Sequence, residues 1–153
     1  MKKQLILVQE TDDVDLTRVN DKFTNALAHT VKQYTNAMTV IKQVRNAIAK
    51  INPKLSIQTA LTECDGDIEI VFWRGMLRAS IIASEDTANL ATVSLSKPVY
   101  EGDWCANCFA VANRVGIASA VVMVVKFLNC RKDKDASKFL ADVNQSASKK
   151  KTK

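Results

Sequence analysis

The stretch SIQTALTECDGDIEIVFW, residues 56–73, contains two runs of alternating apolar and polar residues around an Asp-Gly pair. In the second run Ile68, Ile70 and Phe72 share one face, and the first run alternates in the same way. Such alternation is typical of strands with one buried face, and Asp65-Gly66 favours a tight turn between them. The stretch therefore predicts an antiparallel β-hairpin.

Further strand signals lie on both sides of this hairpin. Residues 77–83 and 90–95 are short β-type runs, and with the hairpin they predict an antiparallel meander of three to four strands. Near the N-terminus, the apolar run Leu5-Ile6-Leu7-Val8 predicts one more strand.

A long helix is expected between the N-terminal strand and the meander. From near Val14 to Ile51, apolar residues recur at helical spacing. The apolar stripe is wider than a two-stranded coiled coil needs, because Val31, Met38 and Ala47 occupy positions that would carry charges there. We therefore expect an amphipathic helix that packs on a sheet or on several helices, and Pro53 ends it.

The segment of residues 103–129 predicts a second long helix, which would be almost fully buried. Asp103 can cap its start, and valines such as Val121, Val122 and Val125 leave it little polar circumference. A chain of 153 residues has difficulty covering such a helix alone, so we expect a homo-oligomer. Residues 133–143 predict a short final helix. The fold class is therefore α+β.

The domain organisation follows from length and composition. We expect a single α+β domain over residues 1–145 and a flexible lysine-rich tail over residues 146–153. No apolar run is long enough for a signal peptide or a membrane span. The sequence therefore predicts a cytoplasmic protein with no membrane partner.

Positive charge is the main functional signal. The chain has 22 Lys and Arg against 16 Asp and Glu, a net charge of +6. The long helix carries six of these cations and one acid, and Trp73 stands beside two arginines on a predicted strand. Such cations attract phosphates, and aromatic rings beside guanidinium groups can stack bases. The candidate nucleic-acid-binding residues are Arg18, Lys22, Lys32, Lys42, Lys50, Trp73, Arg74, Arg78, Lys149, Lys150, Lys151 and Lys153.

The motif DWCANC, residues 103–108, resembles the active-site motif of thioredoxins, which place Cys-x-x-Cys at a helix N-terminus. The resemblance covers these six residues only. It would make Cys105 and Cys108 a redox pair, but both prolines precede the motif and no strand is expected after Cys130. The same spacing suits zinc, but a second paired motif is missing. We expect inert thiols, no cofactor, no metal and no enzyme activity.

The sequence therefore favours a non-catalytic, homo-oligomeric nucleic-acid-binding protein. It would contact DNA or RNA phosphates through the helix, the strand arginines and the lysine tail. The alternative is a protein-interaction module, such as an inhibitor, chaperone or assembly subunit, in which the charges serve only solubility.

Overall fold

The computed structural model describes residues 16–64, 67–83, 90–102 and 104–151. It confirms the predicted α+β class, and the predicted N-terminal strand lies outside the described residues. The elements in chain order are α1 (Leu16–Ile51), β1 (Gln58–Cys64), β2 (Asp67–Arg74), β3 (Leu77–Ala83), β4 (Leu90–Glu101), β5 (Trp104–Gly116), α2 (Ile117–Leu128) and α3 (Asp133–Lys151).

The chain divides into two compact units, residues 1–36 and residues 37–153. Of the first unit, the structure describes residues 16–36, which are the first part of α1. The second unit contains the rest of α1 and all other described elements. Helix α1 ends at Ile51, two residues before Pro53, as predicted. The Asn52 amide still donates a hydrogen bond to the Ile48 carbonyl (2.8 Å).

The sheet is an antiparallel meander in the order β1-β2-β3-β4-β5. It has five strands rather than the expected three to four. β1 and β2 pair antiparallel as the predicted hairpin requires, from Gln58 opposite Trp73 to Cys64 opposite Asp67. A β-bulge interrupts the pairing of β4 with β5, and Arg114 in the bulge has a φ of 53°.

One face of the sheet, here called the inner face, carries the core. Ile70, Phe72, Ile81, Val93 and Leu95 are buried there. Helices supply the other half of this cluster, with Val44 and Ile48 from α1, Val124 and Phe127 from α2, and Leu140 from α3. Because side chains alternate along a strand, the remaining residues form the outer face.

The predicted helix over residues 103–129 is wrong in its first half. Trp104–Gly116 is strand β5, paired along its length with β4, and only Ile117–Leu128 is helical. In β5, Ala110 is buried on the inner face whereas Phe109 and Val111 are exposed on the outer face. The period is therefore two residues, not 3.6. Asp103, the expected cap, lies outside the described residues.

This correction changes the argument for an oligomer. Helix α2 has 12 residues, and six of its side chains are buried within the chain itself. The apolar helix that needed a partner is therefore much shorter and already covered on one side. Self-association stays a prediction without this support.

The last helix, α3, is longer than expected. It runs to Lys151 and so includes the first part of the predicted tail. Its Phe139 ring lies 5.9 Å from the Phe127 ring, centroid to centroid. The Asn144 side-chain amide donates a hydrogen bond to the Phe109 carbonyl (2.9 Å), which fastens α3 to the edge strand β5.

Candidate nucleic-acid interface

The second unit carries three cations on the exposed side of α1. Lys42, Arg45 and Lys50 are all exposed, whereas Val44 and Ile48 on the opposite side are buried. These three cations are called the basic face of α1. Residues 37–51 contain no Asp or Glu. The burial pattern therefore places three cations, and no acid, on the exposed side of this part of the helix.

The spacing of these cations suits an extended polyanion. At 3.6 residues per turn, Lys42, Arg45 and Lys50 fall within about 140° of the helix circumference. Lys42 and Lys50 are about 12 Å apart along the axis, which matches the rise of three to four nucleotides of one duplex strand at about 3.4 Å each.

Arg45 was not among the candidates chosen from the sequence. Its guanidinium donates one hydrogen bond to the Thr59 hydroxyl (3.1 Å) at the start of β1. This contact uses one of the five N–H donors of the guanidinium. Its three-residue spacing from Lys42 on an amphipathic helix was the signal that could have found it.

Lysine and arginine candidates in the first unit lie on the same helix. Arg18 and Lys22 belong to α1, and Lys32 is exposed. At the other end of the chain, Lys149 and Lys150 are exposed on α3, and Lys151 is its last residue. Lys153 lies outside the described residues. Cations at a helix C-terminus also complement the helix dipole, which gives these lysines a structural role as well.

Arg74 has a structural partner. It lies at the end of β2, and its guanidinium donates hydrogen bonds to the carbonyls of Leu128 (2.7 Å) and Cys130 (2.8 Å). These carbonyls are at the C-terminus of α2, where backbone acceptors lack helical donors. The predicted contact of Arg74 with nucleic acid stays a prediction, but this side chain is already engaged.

Trp73 and Arg78 are directly opposite each other on the outer face. Arg78 forms an ion pair with Glu69 (3.2 Å), and the two side chains are 39% and 17% exposed. Thr62 donates to the other Glu69 carboxylate oxygen (3.0 Å). Partial burial raises the pKa of Glu69, but the hydroxyls of Ser80 and Thr62 and the Arg78 guanidinium outweigh it and lower the pKa below its ordinary value.

The cysteines of DWCANC do not form a pair in the structure. In β5, Cys105 lies opposite Tyr100 on the outer face, and Cys108 lies opposite Lys97 on the inner face. Three residues of strand separate their Cα atoms by about 10 Å, which exceeds the roughly 7 Å limit for a disulfide. The helix N-terminus that the thioredoxin resemblance implied is absent at this motif, because both cysteines are in a strand.

Cys130 follows α2 and is half-buried. Burial raises the pKa of its thiol, the Asp135 carboxylate adds to the rise, and the Arg74 guanidinium opposes it. The net pKa is above the ordinary value, so this thiol is a weak nucleophile at neutral pH. In the described part of the chain, no three His, Cys, Asp or Glu residues are grouped to hold a metal ion.

A scan against protein-family models found no match, and neither did searches of curated proteins and of solved structures. Among the helices of the described residues, none combines the length and apolarity that crossing a membrane requires.

Proposed function

We propose that this protein binds nucleic acid, without catalysing a reaction on it, through phosphate contacts made by the basic face of α1. The single observation that supports this proposal is that Lys42, Arg45 and Lys50 share the exposed side of a helix that has no acid between residues 37 and 51. The α3 lysines Lys149 and Lys150 would add further contacts to phosphates.

The physical basis is counterion release. A polyanion holds a layer of condensed cations, and each phosphate that a lysine or arginine neutralises releases some of them. The gain is entropic and does not depend on base sequence. The proposed binding is therefore sensitive to salt and has little direct base readout, since phosphate contacts position a protein without specifying sequence.

A charge-neutralising triple variant tests the proposal. Lys42→Gln, Arg45→Gln and Lys50→Gln together should weaken binding of a fluorescein-labelled duplex about 100-fold near 0.15 M salt, because each lost contact is worth about five-fold there. Fluorescence anisotropy gives the affinity. The variant should fold, because all three side chains are exposed.

A matched control separates local from net charge. Lys126→Gln, Lys132→Gln and Lys138→Gln remove the same total charge from exposed positions on α2, α3 and the segment between them. We expect this control to weaken duplex binding at most a few-fold, because it reduces only the long-range attraction between the protein and the duplex. Equal losses in both triple variants would refute a role for the basic face of α1.

A protein-interaction module is the second candidate, and self-association falls in the same class. The exposed Phe109 and Val111 on the outer face favour it, because exposed apolar patches often mark protein contacts. Light scattering at several protein concentrations measures the oligomeric state. A module of this kind would form its complex equally well with the basic face of α1 neutralised.

A further inference from the structure

A cleft of about 450 Å³ lies between the end of β5, the start of α2 and the second half of α3. Its volume is within the range of roughly 300–1,000 Å³ that is usual for small-molecule sites. No described residue of α1 lines it. The cleft is therefore a candidate site at a different place from the basic face of α1.

The inner part of the cleft is apolar. Four half-buried side chains that pack against the hydrophobic core line it: Val115, Met123, Phe139 and Val143. The Phe139 ring also contacts Phe127, with 5.9 Å between the ring centroids. The core thus holds these side chains in place, while each of them keeps apolar surface that the protein does not cover. Covering such surface with an apolar ligand is favourable.

The rim of the cleft carries positive charge. Arg114 from β5 and Lys150 from α3 are exposed, and Asp142 is the carboxylate among the lining residues. Within the part of the chain that the structure describes, neither cation has a hydrogen bond or an ion pair. Two cations against one carboxylate leave the lining net positive, so the rim suits an anionic group.

One side of α3 gives the cleft a direction. The lining residues of this helix recur every three to four positions, and residues at this spacing share one side of a helix. Phe139 and Val143 come first and are apolar, whereas Ser146 and Lys150 follow and are exposed. From Val143 to Lys150 the helix rises about 10 Å. A ligand along this side would meet apolar surface at one end and polar groups at the other.

Arg114 has an unusual backbone conformation for a residue with a side chain. Its φ is 53°, in the left-handed region that few residues other than glycine adopt. It lies in the bulge at the end of β5, and bulges beside binding sites often redirect a side chain. The guanidinium suits an oxyanion, because its planar fork can donate two parallel hydrogen bonds.

We propose that this cleft binds a small amphipathic anion, which is a carboxylate or similar oxyanion on an apolar body. Arg114 and Lys150 would bind the anionic group, and Phe139 and Val143 would contact the body. The inference goes beyond the proposed nucleic-acid function, because it adds a small-molecule site. A nucleotide suits the cleft less well, since its sugar and base are polar where the cleft is apolar.

The dye anilinonaphthalene sulfonate tests this inference on the full chain, because it joins an anionic group to an apolar body and fluoresces in apolar sites. Titration should show saturable binding. Arg114→Gln should weaken dye binding about 10-fold, which is the lower end of the effect of a hydrogen bond to a charged group. Ser146→Trp should abolish dye binding, because an indole that starts from this exposed position fills the cleft.

Each variant has a matched control. Arg131→Gln removes an exposed arginine that does not line the cleft, and Ser148→Trp adds an indole to α3 outside the lining. Ser146 and Ser148 each donate a hydrogen bond to the carbonyl four residues earlier (3.0 and 3.1 Å), so both tryptophan variants lose one such bond. Neither control should change the dye affinity. Circular dichroism checks that every variant folds.

Competition identifies the class of ligand. Decanoate should displace the dye, whereas inorganic phosphate and adenosine monophosphate at the same concentration should not. Displacement by inorganic phosphate would show a site for any anion, and displacement by adenosine monophosphate would assign the cleft to nucleotides. Either result would overturn the proposed class.

The site itself has a separate test from the proposed function. Absence of saturable dye binding, or dye binding that survives Ser146→Trp, would overturn the cleft as a site. Arg114→Gln should change duplex affinity at most a few-fold, through long-range attraction. Failure of the cleft therefore leaves the basic face of α1 to be judged by its own triple variant.

Discussion

The side chain of Arg74 on β2 reaches the C-terminal carbonyls of α2 and hydrogen-bonds Leu128 at 2.7 Å, although the two residues are 54 positions apart in sequence. A second hydrogen bond, to the Cys130 carbonyl, lies beside it. The guanidinium thus joins the sheet to the helix that covers it, and its positive charge meets the negative end of the helix dipole.

Replacing this guanidinium should destabilise the protein. We expect Arg74→Gln to lower the free energy of unfolding by about 2–4 kcal/mol, since hydrogen bonds to a charged group contribute about 1.5–3 kcal/mol each. The free energy of unfolding of Arg74→Lys should lie between those of wild type and Arg74→Gln, because an ammonium group keeps the positive charge but lacks the planar geometry of the guanidinium. Urea denaturation measures both. An unchanged unfolding midpoint in Arg74→Gln would contradict this role.

Lys97 gives a second stability prediction. It is 2% exposed, and its ammonium group is paired with the mostly exposed Asp133 carboxylate. Removing the carboxylate leaves a buried charge with a weaker partner, so Asp133→Ala should cost about 1–3 kcal/mol.

Lys97→Met should cost less than Asp133→Ala, because it removes the buried charge and keeps the apolar stem. In the double variant, Asp133→Ala should add little to Lys97→Met. Urea unfolding of the three variants checks this order. Equal and additive losses would show that the two side chains act independently.

Glu69 predicts a pH effect of known sign. The pKa of Glu69 is lower in the folded protein than in the unfolded chain. The ionised carboxylate therefore stabilises the folded protein at a pH above the unfolded pKa of about 4.3. This stabilisation is lost as the pH falls through the folded pKa. Between about pH 6 and pH 3, wild type should therefore lose more stability than Glu69→Gln, by up to about 1 kcal/mol. Parallel losses in the two proteins would contradict the assignment.

The cysteines give a chemical test of β5. Cys105 is exposed, whereas Cys108 and Cys130 are half-buried. With iodoacetamide near pH 8, peptide mass spectrometry should find Cys105 alkylated first and Cys130 slowly, because the pKa of Cys130 is raised and little thiolate forms. Its rate should keep rising above pH 9. A Cys105–Cys108 disulfide formed by mild oxidation of the folded protein would contradict the strand geometry.

The local sequence was sufficient to predict an element where the spacing of apolar residues and the turn-forming residues indicated the same structure. Ile68, Ile70 and Phe72 alternate along the sequence after the Asp65-Gly66 pair, and β1 and β2 form as predicted. Pro53 set the end of α1 by steric exclusion, which needs no long-range information. The apolar stripe of α1 likewise indicated a helix packed on a sheet or on several helices, and Val44 and Ile48 are buried in a cluster with residues of both.

The helix prediction for the residues of β5 was wrong because their composition suits a helix. The inward positions of β5 include Ala110 and Ala112, and alanine is the strongest helix former. Pairing with β4 overrides that preference, and such pairing between strands is not encoded in a local window. The alternation of Phe109 and Val111 with these alanines was the available signal. The engagement of Arg74 could not be predicted for the same reason, since its acceptors are distant in sequence.

The salt dependence of nucleic-acid binding tests the central claim most directly. We would measure the duplex affinity of wild type and of the Lys42→Gln, Arg45→Gln, Lys50→Gln variant between about 50 and 200 mM salt. Log affinity should fall linearly with log salt, and the variant slope should be shallower by about 2.7, which is about 0.9 for each lost contact. A wild-type affinity independent of salt, or identical slopes for the two proteins, would contradict phosphate binding by the basic face of α1.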